Sequence, residues 1–305
     1  MLVEIDLLGT TDKIANAIKL LKAYETIAIA NNENGYYVGF SGGKDSLVIA
    51  YLCYLAKVKF ELHENHTTAD TPELVHFNKK IEVWFNNLGV SYYRHYPIES
   101  MWQLIPKKLY PPTRRVRYCC EVLKEKGGKS RFCITGVRWA ESTKRRNNRE
   151  LIEGNAYSAK KNIIKLSNDN DKGRRQIETC VMKGKHILNP ILHWEDEDVW
   201  EFIKLYNIPY CKLYDQGWDR LGCIGCPLSS NQEKELNAYP KYKENYLRAF
   251  RRMTQERKRK GRTFWIDESD AEEIMEWWLH GTIKEKQIEG QMELELEEFE
   301  DLEEN

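Results

Sequence analysis

The chain has 305 residues, about twice the ~150-residue length expected of one domain, and a hydrophobic content of 41% with 9 Trp, 17 Tyr and 9 Phe. That is enough apolar mass for a substantial core and excludes disordered, collagen-like and small stapled classes. The net charge of zero, from 47 basic and 47 acidic residues, hides an uneven distribution.

Residues 107–149 are basic almost throughout: Lys107, Lys108, Arg114, Arg115, Arg117, Lys124, Lys126, Lys129, Arg131, Arg138, Lys144, Arg145, Arg146 and Arg149 are opposed only by Glu121, Glu125 and Glu141. A second basic run spans Arg251 to Arg262, and the tail from Glu293 to Glu304 is acidic. Such runs often form a solvated face, but two of them also suit a polyanionic partner, nucleotide or nucleic acid. The longest apolar run, Leu47 to Ala56, falls short of the ~20 residues a bilayer span needs. The start, MLVEIDLLGTTDK, shows no basic n-region or cleavage site. The expectation is a soluble cytoplasmic protein with no membrane partner.

In chain order, Lys13 to Ala30 predicts an amphipathic helix, with Ile14, Ile18, Leu21 and Ile27 at helical spacing. Tyr36 to Phe40 predicts a strand, followed by the glycine turn SGGKDS and an apolar helix, the βα unit of a nucleotide fold. Further strands are predicted at Val58 to Leu62, Val90 to Tyr96 and Phe132 to Val137, with a helix at Glu73 to Asn87. This alternation indicates an α/β fold with a doubly wound, mostly parallel sheet. Residues 142–185 read as an irregular insertion or a hairpin-bearing loop. Order resumes at Ile187 to Trp194, then a helix at Glu195 to Tyr206 that opens with acids. Helices at Gln232 to Lys260 and Asp267 to His280 close the ordered chain. The predicted organisation is a nucleotide-binding α/β domain over 1–212, a cysteine loop with C-terminal helices over 213–290, and an acidic tail over 291–305.

Four motifs carry chemistry. In Ser41-Gly42-Gly43-Lys44-Asp45-Ser46, two glycines let backbone N–H groups turn toward an anion at a helix N-terminus. Lys44 can neutralise phosphate charge, the two serines can donate to it, and Asp45 can hold Mg²⁺. A Walker A loop is excluded, since Val38 and Asp45 stand where it needs Gly and Ser or Thr. Asp70-Thr71 follows the second strand, where open α/β sheets bind ligands; a helix cap followed by Pro72 is the plainer reading. Gly136 to Ser142 (GVRWAES) ends the fourth strand. Its Arg138 would project over the same sheet edge and suit a bidentate phosphate or sulfate contact, the alternative being a surface pair with Glu141.

The fourth motif is Cys119-Cys120 with Cys223-Ile-Gly-Cys226-Pro. CxxC suits zinc or iron–sulfur equally. Adjacent cysteines diverge, which favours a 4Fe–4S cluster with a separate iron for each thiolate over one tetrahedral zinc; zinc and plain redox thiols stay as alternatives. Arg117 and Lys124 would stabilise thiolates there. Cys53 and Cys133 read as core fillers, and Cys180 and Cys211 as packed or stray thiols with a persulfide role as the alternative. The seven histidines show no metal spacing.

Together SGGKDS, Asp70–Thr71, GVRWAES, the stretch NPILHWEDEDVWEFI and CC…CxxC resemble, in order, the phosphoadenosine-phosphosulfate (PAPS) reductase family of the PP-loop ATP pyrophosphatase superfamily, over Tyr36 to Pro227. The resemblance implies a Rossmann-like PP-loop fold holding an adenine nucleotide (ATP, or APS or PAPS) on Ser41, Gly42, Gly43, Lys44, Asp45 and Ser46. Further nucleotide contacts would come from Asp70, Thr71, Gly136, Arg138, Glu141 and Ser142, with Lys44, Asp45 and Arg138 catalytic. It also implies a 4Fe–4S cluster on Cys119, Cys120, Cys223 and Cys226. One departure matters: sulfonucleotide reductases carry a nucleophilic cysteine in the C-terminal tail, and here no cysteine follows Cys226. The chain therefore looks more like the ATP-activating members, such as the iron–sulfur sulfurtransferase of DNA phosphorothioation and tRNA-thiolating enzymes.

The function expected is cleavage of ATP to AMP and pyrophosphate, activating an acceptor for sulfur transfer, with Lys44, Arg138 and Mg²⁺ stabilising developing charge. Region 107–149 would hold a nucleic-acid acceptor, and a sulfur-donor or reductant protein would be a partner. The alternatives are reduction of APS or PAPS to sulfite, and a non-catalytic nucleotide-gated binding subunit.

Overall fold

The computed structural model describes residues 2–6, 9–125, 127–153 and 186–281. Most of the expected insertion, with Cys180, and the acidic tail lie outside the described residues.

A short antiparallel pair, β1 (Val3–Asp6) and β2 (Gly9–Asp12), precedes helix α1 (Lys13–Asn31), whose first turn is capped by the Asp12 carboxylate accepting from the Ala15 amide at 2.9 Å. Then come β3 (Tyr36–Phe40), α2 (Lys44–Ala56), β4 (Phe60–Asn65), α3 (Pro72–Asn87), β5 (Ser91–His95), α4 (Met101–Lys108) and α5 (Tyr118–Leu123). The chain continues through β6 (Phe132–Ile134), α6 (Thr143–Asn148), β7 (Ile152–Glu153), β8 (His186–Leu188) and α7 (Asp196–Leu205). Three helices finish it: α8 (Gln232–Ala238), α9 (Pro240–Arg259) and α10 (Asp270–His280).

Six strands form one sheet in the order β5-β4-β3-β6-β8-β7, parallel except for the edge strand β7. The chain starts in the middle at β3, winds out to β5, and returns to the other side at β6. The strand order therefore reverses between β3 and β6, and a ligand crevice opens outside their carboxyl ends. Both SGGKDS and GVRWAES emerge there.

The main core joins the sheet to α1, α2, α3 and α7. Helix α2 is apolar nearly all round because the sheet covers one side and α1 and α7 the other. Leu47 and Leu52 are fully buried there, and truncating either to alanine would cost roughly 2–5 kcal/mol. A second core unites α4, α5, the 223–226 turn and α8 to α10, drawing in Ala69 from the loop after β4. The apolar packing thus does not divide at 212/213, because residues 101–123 pack with the C-terminal helices.

Most predicted elements appear with shifted ends. The second predicted strand runs Phe60–Asn65 rather than 58–62, and β6 stops at Ile134. The predicted helix from Gln232 breaks at Tyr239, where Pro240 starts α9. Helix α4 gave no sequence signal, because Pro106 sits inside it. The β1–β2 pair was also not predicted.

Candidate functional site

The glycine turn owes its shape to one position above all. Gly42 has φ +77°, and a Cβ there would lie 2.0 Å from Asn78 Oδ1 on α3. Only glycine meets both demands. Gly43 begins α2 in extended conformation with no side-chain cap, so backbone donors at this helix start are left for other partners. The two serines brace the turn: Ser46 Oγ donates to the Gly43 carbonyl at 2.8 Å and lies 3.3 Å from Ser41 Oγ.

The Lys44 amide donates to the Tyr214 hydroxyl at 2.9 Å. The Lys44 ammonium lies 3.3 Å from Asp196 Oδ1, 3.4 Å from the Asp219 carbonyl, and 5.9 Å above the Tyr214 ring. Burial pushes the Tyr214 phenol well above its usual range, so its hydroxyl stays neutral. Lys44 is thus engaged at both ends by the segment 214–219.

Arg138 departs from expectation. Its side chain is 1% exposed, with Nε donating to Asp45 Oδ1 at 2.6 Å, Nη2 to Asp196 Oδ1 at 2.7 Å and Nη1 to the Trp194 carbonyl at 3.2 Å. It does not project over the sheet edge as a free cation, nor does its guanidinium pair with Glu141. It is a positioning residue that ties α2 to the start of α7. Asp45 shares this bond through Oδ1, and its side chain is 24% exposed. Although burial opposes its charge, Lys44 and Arg138 hold the Asp196 carboxyl below its usual range. Gly136 lets the chain pass α2 closely, as a Cβ would stand 3.0 Å from the Asp45 backbone.

The remaining predicted nucleotide contacts serve local structure. Asp70 Oδ2 accepts from the Thr67 amide at 2.8 Å, and Thr71 caps α3 through the Leu74 amide at 3.3 Å. Glu141 accepts from the Arg138 amide at 3.0 Å and pairs with Arg145, while Ser142 caps α6. Glu141 also lines a cavity of about 220 Å³ with Trp218, Asp219, Arg220 and Lys234.

Three of the four motif cysteines lie in or against the second core. Cys223 is buried, and Cys119 and Cys226 pack against the same cluster. A β-bridge between Asp70 and Cys223 fixes the CxxC turn to the loop after β4, where Ile224 N donates to the Ala69 carbonyl at 2.8 Å. Arg117 Nη2 approaches Cys120 Sγ at 3.6 Å, and Arg220 Nη2 approaches Cys226 Sγ at 4.0 Å. A hydrogen bond with Cys119, then the charges of Arg117 and Lys124, bring the Cys120 thiol down to about 5. Cys119 moves up, through that same bond, burial and the neighbouring charges of Cys120, Cys223 and Cys226. Burial raises Cys223 to about 11, and Lys124 is raised, against burial, by the surrounding Cys223, Asp70, Cys226 and Cys120.

Four thiols under three cations are a donor set that fits an anionic, thiolate-held group. Among the described residues, however, no three Cys, His, Asp or Glu side chains stand at metal-ligating spacing. Cys53, Cys133 and Cys211 are buried.

Sequence reasoning missed Asp196, Tyr214 and Asp219. Asp196 had a signal, since it lies in the quoted NPILHWEDED stretch; Tyr214 contacts Lys44 across 170 positions and had none.

Residues 35–229, well over half of the chain, match the phosphoadenosine phosphosulfate reductase domain. An uncharacterised protein of Methanocaldococcus jannaschii is 28% identical over 261 residues, 82% of this chain and 55% of its own. The chain spans about half the length of the first curated relatives it matches. Adenosine 5'-phosphosulfate reductase 2 of Bacillus subtilis is 49% identical over 79 residues, 25% of this chain and 34% of that one. Among solved structures, a PAPS reductase of Candida auris aligns with TM-score 0.45 and 17% identity over 68% of this chain and 88% of its own. A tRNA thiolase of Methanococcus maripaludis, solved with its 4Fe–4S cluster, aligns with TM-score 0.44 and 13% identity over 81% and 79%. No helix among the described residues is long and apolar enough to cross a membrane. On its own residues and on the domain it matches, this chain belongs to the phosphoadenosine phosphosulfate reductase family.

Proposed function

We propose that the chain binds ATP on the 41–46 turn and cleaves it to AMP and pyrophosphate, activating an acceptor, of nucleic-acid type, for sulfur transfer. One observation carries the reading: the segment 214–226 links the turn to the thiols. It begins with Tyr214 and Asp219 on Lys44 and ends with Cys223 bridged to Asp70 and Arg220 beside Cys226.

The turn's backbone donors and the Lys44 ammonium would take the phosphates, with the start of α2 adding its positive end. Lys44 is the one cation of the turn able to follow charge onto leaving pyrophosphate, since Arg138 is held by two carboxylates. Attack by an acceptor oxygen on the α-phosphorus forms the P–O bond of an acyl- or nucleotidyl-type adenylate and breaks the bond to the β-phosphate oxygen, releasing pyrophosphate. Cys119, Cys120, Cys223 and Cys226 would hold a 4Fe–4S cluster, which supplies thiophilic iron when bound. Arg117, Lys124 and Arg220 balance the thiolate charge.

Sulfonucleotide reduction is favoured by one observation, the local identity to adenosine 5'-phosphosulfate reductases. Against it, every described cysteine outside the four is buried, leaving no accessible nucleophile there for the sulfate sulfur.

Incubating anaerobically prepared protein with ATP, with and without nucleic acid, should yield AMP and pyrophosphate. ADP as the sole product would refute the reaction, and sulfite release from APS would select the second reading. Iron and acid-labile sulfide should co-purify and be lost in C119S and C226S. Metal-free protein from anaerobic preparation would remove the cluster from the proposal.

A further inference from the structure

The basic stretch 107–149 was expected to form a polyanion-binding face, and the structure engages six of its fourteen cations elsewhere. Arg117 serves Cys120, Arg131 pairs with Glu61, Arg138 is buried, Arg145 pairs with Glu141, Arg149 with Glu153 and Lys107 with Glu99. In the second basic run, Arg251 pairs with Glu244 and Glu272, Lys258 with Asp267 and Arg259 with Glu256. Arg114 and Arg115 are not among these paired cations. Both are exposed, and neither has a carboxylate partner among the described residues.

These two arginines line a groove of about 820 Å³, near the upper end of the ~300–1,000 Å³ of ligand sites. It lies between the segment 110–115, the chain that follows the CxxC turn, and the end of α10. Arg114 Nε donates to the Pro227 carbonyl at 2.8 Å, which anchors the guanidinium to the residue after Cys226 and leaves its terminal nitrogens for a ligand. Trp277, half-buried, lines the same groove and packs steeply tilted against the rings of Tyr110 at 5.5 Å and Trp265 at 4.9 Å. Ser229 and Ser230 add hydroxyls, and Glu233 is the single carboxylate of the lining.

Fixed aromatic faces beside unpaired guanidiniums are what a base and its flanking phosphates require. A duplex hides its base faces and cannot use the tryptophan. We propose that this groove binds a single-stranded segment of nucleic acid, with one base stacked on Trp277 and neighbouring phosphates on Arg114 and Arg115. The proposal deepens the functional reading above and rests on it for the acceptor's role; the binding itself does not need turnover.

The test is fluorescence anisotropy of a short labelled single-stranded oligonucleotide titrated with the full chain over a salt series. Trp277→Ala should weaken binding by about 5–150-fold, the range of one base–aromatic stack, and Trp277→Phe should restore most of it. Paired Arg114→Gln and Arg115→Gln should flatten the log–log salt slope by about 1.4, at ~0.7 per single-strand phosphate contact. Unaltered oligonucleotide affinity in both variants would overturn the proposal. So would equal affinity for the matching duplex, or displacement of the oligonucleotide by a peptide of the acidic tail 291–305 at similar concentration, which would assign the groove to the chain's own tail. ATP-induced thermal shifts should persist in these variants. Their absence in the unaltered protein, with oligonucleotide binding intact, would sink the nucleotide reading while leaving the groove standing.

Discussion

Tyr214→Phe isolates the contact between the glycine turn and the segment that leads to the cysteines. It removes one hydroxyl, the acceptor of the Lys44 amide at 2.9 Å, and keeps the ring that packs on Trp200 at 5.0 Å. That hydrogen bond is partly buried, so its loss costs the folded protein about 0.5–1.5 kcal/mol. A phosphate oxygen that accepts from the Lys44 amide has to displace the tyrosine hydroxyl, so the nucleotide-bound protein loses little. The two effects together tighten ATP binding, by about 2–10-fold at ~1.4 kcal/mol per factor of ten. The melting temperature without nucleotide should fall by roughly 2–4 °C per kcal/mol lost. Calorimetric titration with a non-hydrolysable ATP analogue, alongside thermal melts, reads both quantities. Weaker analogue binding by Tyr214→Phe would refute the reasoning, because it would mean that the hydroxyl touches the nucleotide rather than yielding to it.

Gly42→Ala places a methyl 2.0 Å from Asn78 Oδ1 at φ +77°, and should lower the melting temperature and abolish the ATP-induced shift together; pairing it with Asn78→Ala relieves the clash but not the backbone strain, so rescue should be partial. Arg138→Met leaves Asp45 without its buried partner and should cost on the order of 3–5 kcal/mol in denaturant melts; a loss below 1 kcal/mol, on the same order-of-magnitude scale, would show the ion pair to be unimportant. Asp198 has a carboxyl which burial would raise but which the Lys13 bond at 2.6 Å, with its other hydrogen bonds, holds below the usual range. A depressed carboxylate stabilises the fold above its unfolded value, and that contribution disappears as pH falls through the folded value. Asp198→Asn should therefore be less stable near neutrality and lose less stability on acidification below about pH 4, as read from melts over pH; parallel pH profiles for the two proteins would rule the ion pair out.

The turn was legible because its chemistry is local: six consecutive residues, a strand before and a helix after, carry the signal. The cysteines were legible as a set by residue type, but their shared pocket depends on a bridge between Asp70 and Cys223, which no local pattern records. Arg138 shows the limit most clearly. An arginine at a strand end reads the same whether it faces ligand or lies between two carboxylates, and only burial at 1% exposure decides. Its second partner, Asp196, was read as an acid favouring a helix start, which is also true, since one carboxylate at α7 serves both the helix dipole and two cations. Pro106 misled in the opposite direction, as second-core packing of Met101, Leu104 and Ile105 outweighs the missing hydrogen bond.

On the proposed function, the charge arrangement at the turn would set an order of events. Arg138 and Asp45 form the buried pair and act as scaffold, whereas Lys44 is paired with the outward carboxylate of Asp196, which is 62% exposed. On the proposed reading, an arriving phosphate would draw the Lys44 ammonium from Asp196 and the Asp219 carbonyl and take the Lys44 amide from the Tyr214 hydroxyl. These residues precede Cys223, so their release would loosen the CxxC turn and expose Cys226. An ATP analogue should therefore speed alkylation of Cys226, followed by peptide mass spectrometry. By linkage, alkylating Cys226 first should change analogue affinity by the factor through which the analogue changes the protein's preference for the modified state. A Cys226 labelling rate indifferent to nucleotide, in protein that demonstrably binds it, would mean that the segment stays seated and the two chemistries are merely neighbours.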